Sequence, residues 1–544
     1  MNERDDPRTK ALAAAAAVAW EPDPKVEFQS RGRVLIFGDG PHAAQAADAL
    51  AASLSCLVLC DERVEVPEGV AVVRLRGRVP RIEGHLGAFT AVLEDPGEAE
   101  EADRPRYRLD LGAEVDPDRP FFDLVLDLGS APAIDREWGP PGYFRPRGAA
   151  DLAGVLAELP ERIGRLEKPK FFAFDPSICA HGKPGTEGCR RCLDACPAGA
   201  IVSVEQRIQV NPNLCQGGGT CATTCPTGAL TYRFPPRAAT LEQLRRMLAT
   251  WREAGGEGEP VVVFLEPRDD FDPAGSGPLA RWPARVLPFA LQEIGAVGME
   301  TWLAALAFGA VAVRVLRPPG IAPSVERVLD EQLGFTRALL AGLELPPDAV
   351  GWLAVEDDPL GAAELAFAPA APPSGGIEAV SKRGVLFAGL DHLRARASVA
   401  PELVAVPAGA PFGRVQVNHE TCTACLACAF TCPTRALSPG RGIVPQLLFV
   451  EAACVQCGLC EAACPEDAIH REARLLLPED QRLATRVLHE DEPFACTSCG
   501  KIFASAGTIR AVKEKLADHP MFAKSGLDVL ELCDDCRMSM HLWG

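Results

Sequence analysis

All but Cys56 and Cys60 of the 21 cysteines in this 544-residue chain fall into short runs with repeating gaps. That grouping limits the fold more than any other feature. One run reads Cys422-x2-Cys425-x2-Cys428-x3-Cys432-Pro433 and recurs as Cys454-x2-Cys457-x2-Cys460-x3-Cys464-Pro465. Gaps this short bring several thiols to one corner of a loop, the arrangement that wraps a metal centre. A disulfide framework fits the spacing poorly. Loading metal needs reduced thiolates, which predicts a cytoplasmic location.

The doubled run resembles bacterial two-cluster ferredoxin domains, where the fourth cysteine of each run closes the cluster of the other. The resemblance implies one [4Fe–4S] cluster on Cys422, Cys425, Cys428 and Cys464, and another on Cys454, Cys457, Cys460 and Cys432. Ala429, Gly458 and Ala463 leave room beside inorganic sulfide, and proline fixes the backbone after each fourth cysteine.

An altered copy lies upstream: Cys179-x9-Cys189-x2-Cys192-x3-Cys196-Pro197, then Cys215-x2-Gly218-x2-Cys221-x3-Cys225-Pro226. The same cross-ligation gives Cys179, Cys189, Cys192 and Cys225 to a third four-iron cluster. Cys196, Cys215 and Cys221 remain for a fourth site, where Gly218 replaces a ligand. A [3Fe–4S] cluster, a four-iron cluster with an exogenous fourth ligand, and an empty site all stay open. Gly217-Gly218-Gly219 is expected to be a bare corner, open to water, a substrate atom or a partner. His181 is expected to be a surface-loop residue, with substitute ligation the alternative.

Cys496-x2-Cys499 and Cys533-x2-Cys536 lack the x2-x3-Pro rhythm. Paired knuckles of this kind suit tetrahedral structural zinc. Mononuclear iron or a cluster would use the same residues.

The expected fold class is multidomain α/β. An arm at 1–28 leads to a Rossmann-like domain at 29–165. Dicluster ferredoxin domains at 168–235 and 410–475 flank a parallel α/β domain without metal ligands at 240–400, and a zinc-like unit occupies 490–544. The alanine run Ala11–Ala19 is read as a frayed helix or disordered arm, not a signal peptide. In the 29–165 domain, strand, turn, helix and strand follow in order. Gly38, Gly40, Ala43 and Asp61 stand where a dinucleotide fingerprint would use them, to hold FAD or NAD. Pro41 and His42 are unusual in such a turn, so a fold that binds nothing is preferred. Strands are expected at Val261–Leu265, Arg285–Phe289, Ala312–Leu316 and Trp352–Val355, helices at Gly298–Phe308 and Ser324–Leu340, and a linker at 369–374.

A net charge of -19 argues against nucleic-acid binding. The longest apolar candidate, Leu303–Val315, is too short for a membrane span and contains Arg314. No phosphate loop or hydrolytic constellation is present. The overall arrangement also resembles the iron–sulfur proteins accompanying molybdenum formate dehydrogenases and, more distantly, an iron–sulfur subunit of heterodisulfide reductase. The segments that carry this are Phe37–Pro41, Pro80–Gly87 and Glu293–Leu316. It implies an electron carrier or oxidoreductase subunit with redox protein partners, a formate dehydrogenase among them. The alternatives are a catalytic subunit with a nucleotide at Gly38, Gly40 and Asp61, and an accessory protein for maturation of a molybdenum enzyme.

Overall fold

A computed structural model describes residues 6–22, 24–75, 79–94, 108–110, 120–183, 186–267, 282–360, 381–399, 401–522 and 526–541. The linker expected at 369–374 lies outside them.

The first parallel sheet runs in the order Ala71–Arg74, Ser55–Cys60, Arg33–Gly38, Leu124–Leu128, Tyr143–Phe144. Its central strands are unbroken apolar runs because both faces are covered. Val34, Ile36 and Val58 pack under the helix Gly40–Leu50, while Leu35, Leu57 and Leu59 face the other way. There, among the described residues, no second set of helices follows. An antiparallel sheet of Val79–Glu83, Thr90–Glu94 and Arg108–Asp110 supplies Ile82, Ala91 and Leu93 to the second core. The domain is therefore Rossmann-like on one face only.

The second parallel sheet has the order Val286–Ala290, Val261–Leu265, Ala312–Leu316, Val350–Leu353. The last strand starts two residues earlier than expected. Helices Arg237–Glu253, Met299–Ala307, Pro323–Gly342 and Lys382–Arg396 build the largest core around it.

The N-terminal arm is a correction. Pro7–Ala16 is a helix capped by Asp6, whose carboxylate accepts from the Thr9 amide. It lies on the helix Arg237–Glu253 and sends Ala11, fully buried, into that core. Alanines allow so close an approach because nothing larger than a methyl group separates the backbones.

Each cysteine block has pseudo-twofold form, with two antiparallel strand pairs and two short helices. In the first block, Phe172–Phe174 pairs with Leu230–Tyr232 and Ile201–Val204 with Arg207–Val210. In the second, Gly413–Val417 pairs with Ile469–Ala473 and Leu437–Pro439 with Gln446–Phe449, and Arg486–Glu490 extends the latter pair. A final unit has the hairpin Pro493–Ala495 with Ile502–Ser505 and the helix Ala506–Leu516. Among the described residues, no helix is long and apolar enough to cross a membrane.

Candidate metal centres

Three hollows in the two blocks are each walled by four thiols drawn from both runs of a block. Cys422, Cys425, Cys428 and Cys464 line one, and Cys432, Cys454, Cys457 and Cys460 another. Cys179, Cys189, Cys192 and Cys225 line the third. At Cys225 and Cys432 the chain turns extended after the short helix, which points the fourth cysteine away from its own loop. Backbone amides then reach its sulfur: Ala200 donates to Cys196 at 3.3 Å, Leu437 to Cys432 at 3.5 Å and Ala468 to Cys464 at 3.3 Å. Burial and mutual repulsion push Cys428 up to about 12 and Cys457 to about 11. Groups this costly to ionise alone call for a cation, and metal binding would release their protons.

The loops share one backbone device. The residues two and four places after the first cysteine are left-handed: Ala424 and Leu426 (φ 48° and 62°), Gln456 and Gly458 (56° and 87°), Gly217 and Gly219 (85° and 75°). Such alternation turns successive amides toward one point, an anion-binding concavity. The loop of Cys215 thus keeps the cluster-loop backbone although Gly218 cannot ligate. Coulombic repulsion links Cys221 to Cys215 and Cys196 first, and then to Cys192 and Cys225 of the neighbouring hollow.

The open corner expected at Gly218 is closed. A Cβ on Gly218 would lie 2.8 Å from the indole of Trp138, one on Gly217 2.8 Å from the Phe171 ring, and one on Gly219 2.4 Å from the Ala296 backbone. Trp138 comes from a proline-rich stretch that reads as plain connection, which hid it. Nearby, the buried hydroxyl of Tyr232 has no hydrogen-bond partner and feels the charge of Glu293, Cys215 and Cys221. A donor orphaned among the described residues and close to Cys215 and Cys221 fits a cluster with acceptor sulfurs. His181 is not a surface residue: it is 2% exposed. Nδ1 lies 2.8 Å from the Cys189 carbonyl oxygen and Nε2 2.7 Å from Ser203 Oγ, so both nitrogens are engaged.

The two blocks touch. Cys457 and Cys189 are near enough for charge on one to raise the pKa of the other. Leu459 packs so tightly on Gly188 that an added Cβ would sit 2.8 Å from it. Arg191 donates to the Gly409 carbonyl oxygen across the same junction.

Comparison with known proteins agrees with this geometry. Residues 187–229 match a 4Fe-4S dicluster domain, and 415–438 and 448–470 match a 4Fe-4S binding domain. The two blocks are iron–sulfur domains of the ferredoxin type. Relatives of the chain include Ferredoxin-type protein NapF of Escherichia coli K12, 41% identical over 51 residues, which are 8% of this chain and 31% of NapF. Hydrogenase-4 component A of the same organism is 38% identical over 56 residues, 10% of this chain and 25% of that protein. The chain thus spans under a third of the length of the curated relatives it matches.

Around the ferredoxin-type blocks, cations are placed with care. Lys382, 5% exposed, donates to the carbonyl oxygens of Ala222 (2.8 Å) and Thr223 and faces Glu300 at 3.6 Å. Burial pulls its pKa down, while Glu300 and Cys225 push it up. The next residue, Arg383, reaches the other block, donating to Ala452 (2.7 Å) and Pro411 (2.8 Å) beside Cys454. Reduction adds negative charge, which a nearby cation favours. Lys382→Met is expected to lower the potential of the first block's sites by on the order of 50–100 mV, from a unit charge at an effective dielectric near 20. Redox titration followed by EPR checks this, and an unchanged or raised potential contradicts it.

Cys496, Cys499, Cys533 and Cys536 form the one set of candidate ligands, among the described residues, whose atoms all lie within 4.8 Å of one another. Cys499 and Cys533 Sγ are 3.6 Å apart. The Cys533 amide donates to Cys496 at 3.3 Å and holds that thiol down at about 6. Ser505 and Thr508 (3.0 Å) both donate to the carbonyl oxygen of Thr423, which seats this unit on the loop of Cys422 and Cys425.

The N-terminal turn does not fit a nucleotide. Gly38, Gly40 and Ala43 do form strand end, turn and helix start, but the space over Gly40 is filled. A Cβ there would meet Val64 at 2.7 Å and the Glu62 carboxylate at 2.9 Å. A carboxylate in the phosphate position repels phosphate. Asp39 and His42 already cap the helix, with the Asp39 carboxylate accepting from the His42 amide at 3.0 Å, and Asp61 engages Arg74 through its carbonyl.

Proposed function

We propose that the protein relays single electrons along one continuous row of four clusters. The order is Cys196, Cys215 and Cys221; then Cys179, Cys189, Cys192 and Cys225; then Cys454, Cys457, Cys460 and Cys432; then Cys422, Cys425, Cys428 and Cys464. The observation that carries this is the packing of Leu459 against Gly188, which sets the loops of Cys457 and Cys189 side by side. It joins two dicluster pairs that would otherwise be separate wires.

When bound, each cluster takes up and returns one electron. The chain's own part is to hold the ligands, to aim amides at them, to shield them with apolar side chains and to set nearby charge. Three of the groups supply four cysteines each and suit [4Fe–4S]. The group under Trp138 supplies three and suits [3Fe–4S], or a four-iron cluster with a fourth ligand that is not cysteine. Zinc suits the C-terminal tetrad, because a zinc–sulfur distance of about 2.3 Å gives a tetrahedral edge of about 3.8 Å, close to the observed thiol spacing. The row serves a redox protein partner. Its resemblance points to a molybdenum formate dehydrogenase, and the name of Hydrogenase-4 component A supports attachment to a larger oxidoreductase. Reduced, buried thiols suit the cytoplasm.

Anaerobic purification followed by iron, sulfide and zinc analysis is expected to give about fifteen or sixteen irons and about one zinc per chain. EPR of the fully reduced protein should show magnetic coupling between the two blocks. Fewer than about eight irons defeats the two-block assignment, and uncoupled blocks defeat the continuous row.

A further inference from the structure

Between the two blocks lies a cleft of about 710 Å³ that reaches ligand cysteines of both middle sites. Phe174, Cys179 and Arg207 line one side, and Phe430, Cys432 and Arg435 the other. In a chain of net charge -19, no carboxylate side chain lines it among the described residues. Neither Arg207 nor Arg435 is ion-paired among the described residues.

Comparing the four cysteine runs shows that two of these residues depart from the repeat. Three places after each fourth cysteine the backbone is left-handed, at Gly199, Gly228, Arg435 and Asp467 (φ 56°, 75°, 55° and 47°). Glycine and aspartate tolerate that conformation; a long side chain is strained there. Arg435 is kept at that cost, and its side chain lines the cleft. Two places after each third cysteine stand Asp194, Thr223, Phe430 and Ala462. Only at the cleft is this residue a large aromatic, and Phe430 is 68% exposed. Neither departure serves cluster binding, since the other runs manage without it.

We propose that the cleft binds a small, planar, anionic electron carrier of the flavin mononucleotide class. Volume and concavity suit a small ligand. Phe430 gives the cleft an aromatic wall suited to a planar ligand, and the guanidinium groups suit a phosphate. The nearby cysteines of two sites make a redox-active occupant chemically sensible. That last point rests on the electron-relay reading above.

The test is anaerobic equilibrium dialysis of the full-length, iron-loaded protein against flavin mononucleotide, with iron measured on the same sample. The flavin nucleotide is expected to be retained and to be displaced by inorganic phosphate. Riboflavin, lacking phosphate, should bind about tenfold more weakly. Arg207→Gln with Arg435→Gly, the latter restoring the residue of two sister runs, should weaken retention at least about tenfold at unchanged iron content. Absence of retention at about 1 mM flavin nucleotide, or equal affinity in the double variant, overturns the proposal. Full iron without flavin binding leaves the relay standing. Low iron in the unaltered protein defeats the relay itself.

Discussion

Replacing Cys432 with alanine is expected to strip iron from the site of Cys454, Cys457 and Cys460, and to leave the site built by Cys432's own loop intact. Cys432 follows Cys428 by only four residues, and a local reading would put it with its neighbours. In the fold its sulfur shares a hollow with the other run, and its charge raises the pKa of Cys457 and Cys460. The variant should lose between about one and four irons, depending on whether a three-iron cluster survives. Cys464→Ala should do the reciprocal damage at Cys422, Cys425 and Cys428. The affected site in Cys432→Ala is also the one that meets the first block through Cys457. Electron passage from one block to the other should therefore fall far more than the iron content, by well over about tenfold. Iron analysis, EPR and stopped-flow reduction read the three effects. If Cys432→Ala matches Cys425→Ala in the signal it removes, the crossed pairing is wrong.

The second large effect is expected at the C-terminal tetrad. Among the described residues of that unit, little besides Cys496, Ser505, Ile509 and Cys533 is buried, too small a core to stand alone. Structural zinc contributes apparent binding energies of about 10–16 kcal/mol in small finger units. Cys533→Ser should therefore release about one zinc and make the chain beyond residue 490 sensitive to protease, while the iron of both blocks stays. The loop of Cys422 and Cys425 loses the unit that donates to Thr423. Cys425 is already exposed, so its site should bleach faster in air. Limited proteolysis with zinc analysis checks the first effect and the decay of visible absorbance the second. A Cys533→Ser protein as resistant to protease as the parent would show that the metal is not what holds the unit.

What was legible in the sequence was what local chain chemistry encodes. The cysteine gaps name their loops because a cluster-binding loop is only a few residues long. The strands of both parallel sheets show because burial on two faces demands continuous apolar runs, as in Val261–Leu265. The misreadings share a cause, which is a partner far away in the chain. Ala11 looks like part of a loose arm until the helix Arg237–Glu253 is beside it. Gly218 looks open until Trp138 covers it, and His181 looks exposed until Ser203 and Cys189 engage its ring. Gly38 and Gly40 show the opposite hazard. Their local pattern is genuine, yet Glu62 and Val64 crowd Gly40.

Lys382 and Arg383 open one helix and grip carbonyls of opposite blocks. During synthesis the first block leaves the ribosome well before these residues, and the second well after. The cysteines of each block are thus complete on one side of this helix in the order of synthesis, and its first turn is an element that both blocks hold. The junction of Gly188 with Leu459 is therefore expected to form only after both blocks have been made, with this helix between them in the chain.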